Sequence, residues 1–366
     1  MDIIKLKTNA LLINQLILTK KILLIILIVL NFIIQFNFKK IKIGVIGLNH
    51  SQNVGNNLLK YAISIKLSEL GFDPTIIGLK EINNNISFIQ NSIKIKIINQ
   101  NFTEIKENDY DILMVNSDQT WRKWDKYFYD IAFLKFAKDW NKTKFVYGTS
   151  LGFDDWKYNE NDEKIAKYLL KDFRGVSVRE IGSIKYIEEH LGFKPTLVLD
   201  PTLLIDKKYY LNLIEGYKSD IIFDSKTIFI YTVTNSSFLQ DYIRSIKEKY
   251  NYKIYLIDRN SNNQIIKFIY GIYKCHGVIT DSFHGTIFSI IFGKPFISFI
   301  YTFLGSERFN TLKEAFGLGN RIFSYNFIPD IKLLETPLKF NNSFLNLLKK
   351  QSIKYLKKNL IIKNTK

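Results

Sequence analysis

Between Thr280 and Phe288 the chain reads TDSFHGTIF, which sets His284 between small residues where one apolar run gives way to another. Asp281 and Ser282 are both good N-cap residues, so His284 falls in the first turn of a helix. A helix N-terminus favours bound anions, and a neutral imidazole placed there can exchange a proton with a substrate near neutral pH. The rival is a satisfied, half-buried structural histidine. Asp281 reads more readily as the cap of that helix than as a chemical group.

Four further polar clusters fall where apolar runs end. SVRE (177–180) closes on Arg179, NSDQTW (116–121) carries Asp118 and Gln119, and GTSLG (148–152) is small and polar. In SQNVGNN (51–57), backbone N–H groups and a helix start could meet an anion, or Gly55 and Asn56 simply make a tight turn. With Gly55 the only glycine there, no dinucleotide-binding fingerprint is present. Trp121, Trp124 and Tyr127 could stack on a sugar ring, although aromatic residues at such spacing are more often core. His50, His190, His276 and His284 are scattered, with no metal-ligand spacing among them.

The elements that must carry these clusters alternate. IKIGVIGL (41–48) is a β-rich run followed by a polar loop, an amphipathic helix ending near Gly71, and a second apolar run at PTIIGL. DILMVNS, KFVYGTSLG, GVSVR and TLVLDP continue the series to about residue 201. KTIFIYTV (226–233) opens a second series through KIYLID, GVITD and KPFISFI (294–300). Two such series predict an α/β protein with two Rossmann-like, doubly wound domains facing a cleft, spanning 41–215 and 222–335. A basic helix is expected over 340–362, packed on one domain. In open α/β sheets, ligands sit beyond the carboxyl ends of the strands, where all the polar clusters lie.

Charge and hydropathy bound the rest. The net charge is +18 over 366 residues, but residues 1–40 hold +5 and residues 333–366 hold +7, so the body is only mildly basic. A nucleic-acid binder would show a basic stripe on the body, and none is expected here. One cysteine, Cys275, excludes an internal disulfide framework and a cysteine-based zinc site. Residues 22–36 form an apolar run flanked by lysine pairs. As a helix the run would reach about 22 Å, short of a hydrocarbon core of roughly 30 Å. It reads as a membrane contact or marginal anchor in the segment 1–40, or as an extra helix.

Taken together, the clusters resemble the polysaccharide pyruvyl transferase family. The likeness rests on NVGNNLLKYA, SDQTW, YGTSLG, SVRE followed by SIKYIEEHLG and LVLDP, and TDSFHGTIFSIIFGKPF, with ERFNTLKEAFGLGNRIF beyond. It spans about residues 41–362, and departs from the family at Asn116, where a glycine is common. The resemblance implies a GT-B-like fold and transfer of pyruvate from phosphoenolpyruvate onto two hydroxyls of a sugar, as a ketal, with release of phosphate. It implies His284 as acid/base and Arg179 at the donor, with no separate cofactor and no metal. Ser282, Gly285, Ser306, Arg308, Gly55 and Asn56 are the further donor-side candidates, and Asp118, Gln119 and Trp121 the acceptor-side ones. A guanidinium fork suits the donor's adjacent phosphate and carboxylate. The acceptor would be a glycan or a lipid-linked oligosaccharide, reached in the cytoplasm or on the cytoplasmic face of a membrane. A type II orientation in a secretory compartment is the alternative. A nucleotide-sugar-dependent glycosyltransferase of the same fold, or a non-catalytic glycan-binding relative, are the rival functions.

Overall fold

The computed structural model describes residues 18–27, 40–48, 53–78, 95–123, 127–219, 222–234, 236–257, 263–302 and 305–362. The chain divides into two compact units, Met1–Lys40 and Ile41–Lys366. In the first, residues 18–27 are helical with exposed side chains. Among the described residues no helix is long and apolar enough to cross a membrane. Residues 28–36 of the apolar run, and Trp124, lie outside the described residues.

The second unit holds two parallel sheets. The N-terminal lobe runs β1 (Lys42–Ile46), α1 (Val54–Glu69), β2 (Asp73–Gly78), β3 (Ile97–Asn99), β4 (Ile112–Val115), α2 (Phe128–Phe133), β5 (Thr143–Val146), α3 (Glu160–Leu170) and β6 (Phe173–Gly175). Its six strands lie in the order 3-2-1-4-5-6, that of a dinucleotide-binding Rossmann sheet. A two-stranded parallel ribbon follows, β7 (Ser177–Val178) and β8 (Thr196–Leu197), joined through α4 (Gly182–Leu191). The lobe's last helix is α5 (Lys207–Leu213).

The C-terminal lobe comprises β9 (Thr227–Tyr231), α6 (Ser237–Lys249), β10 (Lys253–Leu256), α7 (Gln264–Lys274), β11 (Gly277–Thr280), α8 (Phe283–Phe292), β12 (Phe296–Ile300), α9 (Glu307–Ala315) and β13 (Ile322–Ser324). Its strand order is 10-9-11-12-13, so counted within the lobe it is the flavodoxin-type 2-1-3-4-5. The two lobes are therefore not copies of one topology. β1, β4, β9 and β11 are buried along nearly their whole length, as expected of parallel strands covered on both faces.

One apolar cluster runs continuously through both lobes, from Ile43 and Val45 by way of Tyr210 to Phe288 and Phe229. Tyr210 meets Phe288 edge-on at 4.8 Å between ring centroids. The final helix, α10 (Asn342–Asn359), returns to the N-terminal lobe. There Ser352 Oγ accepts from the Leu199 amide at 2.9 Å, and the Tyr355 hydroxyl donates to the Val146 carbonyl at 2.7 Å. This crossing ties the final helix to backbone groups of the N-terminal lobe.

Candidate active site

Both lobes place the start of a helix beyond the carboxyl end of a central strand, α1 after β1 and α8 after β11. Asn53 caps α1, its side-chain oxygen accepting from the Asn56 amide at 3.0 Å. Ser282 caps α8, accepting from the Gly285 amide at 3.3 Å. The two helix starts meet. A Cβ on Gly55 would lie 2.1 Å from His284 Nδ1 and 2.4 Å from Cγ, so only glycine leaves room for the imidazole. Gly55 is thus the seat of His284 rather than a donor loop.

Loops beyond β4, β5 and β7 continue side by side. Thr149 bridges to Asp118 on one flank and to Val178 on the other. The Ser150 amide donates to the Asp118 carbonyl, and the Arg179 amide to the Thr149 carbonyl. Asp118 adopts φ 90°, a conformation non-glycine residues rarely hold and one that concentrates at functional sites. The Asp118 carboxylate accepts from Asn56 Nδ2 at 2.9 Å and from Arg179 NH2 at 3.1 Å.

Arg179 is buried and sits among three carboxylates. NH1 donates to Asp200 Oδ2 at 2.6 Å, NH2 to Asp118, and Nε lies 3.7 Å from Glu180 Oε1. This corrects the expectation of a guanidinium fork presented to the donor, because both terminal nitrogens are already engaged. Arg179 organises the carboxylates instead. Burial alone would raise both Asp118 and Asp200. For Asp118 the opposing effects of Arg179, His284 and Asn56 prevail and hold the carboxyl below its usual range. For Asp200 those of His284, Arg179 and Thr202 hold it well below. Glu180 goes the other way: burial raises its carboxyl, opposed by Arg179 and by Ser150 and Ser183.

Asp200 is the residue that joins the lobes. One oxygen caps the short 3-10 helix Pro201–Leu203, accepting from the Thr202 amide and hydroxyl at 3.0 and 2.6 Å. The other oxygen holds Arg179 and lies 3.7 Å from His284 Nε2, within ion-pair reach but beyond a hydrogen bond. His284 is 7% exposed, and Nε2 has no hydrogen-bond partner among the described residues. A buried ring nitrogen left unpaired beside an ionised carboxylate is costly unless another group is meant to meet it.

Three side chains sharpen the picture on the C-terminal side. Arg308 is half-buried, its guanidinium 5.6 Å from the Phe283 ring. Burial lowers it to about 10, with Arg179 pushing the same way and Asp118 and Glu180 opposing. Ser306 reaches across to the other lobe, its amide and hydroxyl donating to the Asp154 carboxylate at 2.6 and 2.8 Å. Ser306 therefore fastens the lobes together. Gly305 packs there too, since a Cβ on it would lie 2.7 Å from the Gly152 carbonyl oxygen. Between these points Gln119, Ser150, Glu180 and Arg308 line a narrow crevice.

Other expectations are corrected. Trp121 is fully buried, donating from Nε1 to the Ala132 carbonyl and packed on Phe133, so it cannot stack on a sugar. Tyr127 packs against Phe102. Asp281 does not cap α8: its carboxylate holds the loop after β9 through the Val233 and Thr234 amides and the Tyr325 hydroxyl. Gly285 lets α8 pack on its own strand, as a Cβ there would lie 2.3 Å from Thr280 Oγ1. Lys60, absent from the sequence-based candidates, is buried on α1 one turn beyond Asn56. Burial lowers its ammonium to about 7, with Asp118 opposing. Asp200 and Glu180 were also missed, although both lie inside segments that carried the family resemblance.

Two packed α/β lobes with polar residues converging where their strands end define a GT-B-like fold. A solved UDP-GlcNAc 2-epimerase from Methanocaldococcus jannaschii resembles the chain with a TM-score of 0.55 at 14% identity, covering 87% of this chain and 99% of that one. The UDP-GlcNAc 2-epimerase from Neisseria meningitidis bound to UDP-GlcNAc gives 0.50 at 13%, covering 88% and 94%. LpCGTa in complex with UDP gives 0.50 at 8%, covering 88% and 98%. At such identities the likeness speaks to fold alone. No curated protein matches the chain in sequence. The polysaccharide pyruvyl transferase family profile matches residues 53–302, so the chain belongs to that family and is a transferase.

Proposed function

We propose that the chain moves pyruvate from phosphoenolpyruvate onto two hydroxyls of a glycan sugar, forming a ketal and releasing phosphate. The observation that carries this reading is the His284 imidazole, buried at a helix start with Nε2 unpaired and 3.7 Å from the Asp200 carboxylate. Nε2 is the atom available to move a proton. In the reaction the donor methylene carbon gains a proton and becomes a methyl group. The first hydroxyl oxygen adds to the adjacent carbon, the carbon–oxygen bond to phosphate breaks, and the second hydroxyl adds in its place. One of the two hydroxyl protons is balanced by the new methyl hydrogen, and the other leaves with phosphate or solvent.

Charge complementarity supports the donor. Phosphoenolpyruvate is a small multiply charged anion, and Arg308 lines the crevice with Arg179 repelling it and Asp118 and Glu180 opposing that repulsion. An anion beside Arg308 and the α8 start would offset that repulsion. Asp118 and Gln119, on the N-terminal side, would be the contacts to acceptor hydroxyls. Phosphoenolpyruvate enters as a substrate, and the reaction calls on no separate cofactor. The acceptor is a cell-surface or lipid-linked glycan, with the enzyme in the cytoplasm or on a membrane's cytoplasmic face.

The test is incubation with phosphoenolpyruvate and a panel of glycan acceptors, followed by phosphate release and product mass. Acceptor-dependent phosphate release with a pyruvylated product supports the proposal. Turnover with a nucleotide sugar and none with phosphoenolpyruvate would replace it with a glycosyltransferase reaction.

A further inference from the structure

The β7–β8 ribbon has a second end. Arg179 and Asp200 lie beyond its carboxyl end, whereas its amino end opens on a cavity of about 280 Å³. Arg174 and Lys194, which precede the two strands, line it together with Lys354 and Lys358 of α10, and Tyr355 and Thr196 complete the wall. No carboxylate is among the lining residues. Asp172, the acid closest in sequence to Arg174, is held by Lys144 Nζ at 2.5 Å. Among the described residues none of the four cations forms an ion pair, and Arg174 donates to the Ile361 carbonyl, which fixes it at the rim. The contrast with Arg179, ringed by three carboxylates on the same ribbon, is complete.

Helix dipoles account for part of this. Lys194 follows the end of α4 and Lys358 lies in the last turn of α10, where a cation complements exposed carbonyls. Arg174, Lys194, Lys354 and Lys358 are exposed, so solvent screens much of their mutual repulsion, but four cations round one hollow with no carboxylate between them still make a local positive potential that an anion would offset. The hollow of about 280 Å³ has room for a diphosphate, whose several negative charges match four cations better than the fewer charges of a single phosphate.

We propose that this cavity binds a phosphate-bearing anion of the diphosphate class, independently of the cleft and of the reaction assigned to it. Two sources share that chemistry, a soluble diphosphate and a phosphate headgroup at a membrane surface. The test is titration of the full chain with inorganic pyrophosphate at about 0.15 M salt. The double variant Lys194→Gln/Lys354→Gln is expected to bind at least tenfold more weakly. The control Lys350→Gln/Lys357→Gln, exposed on the same helix but outside the cavity, is expected to stay within twofold. Arg174→Gln gives an independent third variant, and melting temperatures show whether each remains folded. Displacement of pyrophosphate by phosphatidic acid vesicles, and not by phosphatidylcholine vesicles, assigns the headgroup source; absence of displacement assigns the soluble one. The proposal is overturned if the wild type binds no pyrophosphate. It is equally overturned if the control pair weakens binding as much as the cavity pair, or if the cavity pair lowers the melting temperature while binding is unchanged.

Discussion

The two lobes furnish the cleft in different ways. The N-terminal lobe contributes a dense charge network in which Asp118, Asp200 and Glu180 surround Arg179. The C-terminal lobe contributes less compensated groups: a histidine with an unpaired nitrogen and an arginine lowered by burial and by its neighbour. The first lobe sets geometry and potential, and the second presents the groups with capacity left for a ligand. Gly55 and Asp200 are the points where the N-terminal lobe meets His284 of the other.

Breaking the network should have the largest effect. Arg179→Met leaves three buried carboxylates without their cation, and a loss of about 3–5 kcal/mol is expected in denaturant unfolding. A loss under about 1 kcal/mol would mean that the carboxylates do not depend on it.

Lys60 tests the same lobe from another side. Its folded value of about 7 lies below the ordinary 10.5, so between these the unfolded chain carries a proton that the folded chain lacks. Stability of the wild type should therefore rise with pH across that window. Lys60→Met should be more stable by a few kcal/mol below pH 7, an advantage that fades as the pH approaches 10.5. Parallel pH profiles for the two proteins would show that Lys60 is not buried as a strained cation.

Gly55→Ala sharpens the contrast at the contact itself. The new methyl would press on His284 Nδ1 at 2.1 Å, so the imidazole must turn away. Catalytic efficiency is expected to fall by about 10- to 100-fold, or about 1.4–2.7 kcal/mol of barrier, alongside a loss of about 1–3 kcal/mol in stability from overpacking. Ser306→Ala removes one of three hydrogen bonds at Asp154, that of the hydroxyl at 2.8 Å, and keeps those of the residue 306 and Glu307 amides. A cost of about 1 kcal/mol is expected in denaturant unfolding.

Much of this frame was legible beforehand. Both αβ series, the strand-end clusters and the helix that starts at Ser282 follow from apolar runs ending in small polar residues. The elements that escaped notice were short ones, such as β3 and β13, too brief to show a period. Within the site, His284 was visible because a titratable ring at a helix start is unusual. Asp200 was not, because Asp-Pro reads as a turn and a cap; one oxygen does cap, and the other reaches Arg179 only through tertiary folding. Lys60 drew no attention in the sequence because an amphipathic helix ordinarily leaves its lysines in solvent, yet α1 is buried on nearly every side. Trp121 failed for the opposite reason: spacing identifies an aromatic cluster but not which way it faces. Asp281 had an obvious local role and took a distant one.

The most direct measurement of the central claim is acceptor-dependent phosphate release from phosphoenolpyruvate by the wild type and by His284→Gln. A drop of roughly 10²- to 10⁴-fold in kcat, with the fold intact, is the outcome expected if this imidazole moves the proton. Turnover within a few-fold of the wild type would contradict it.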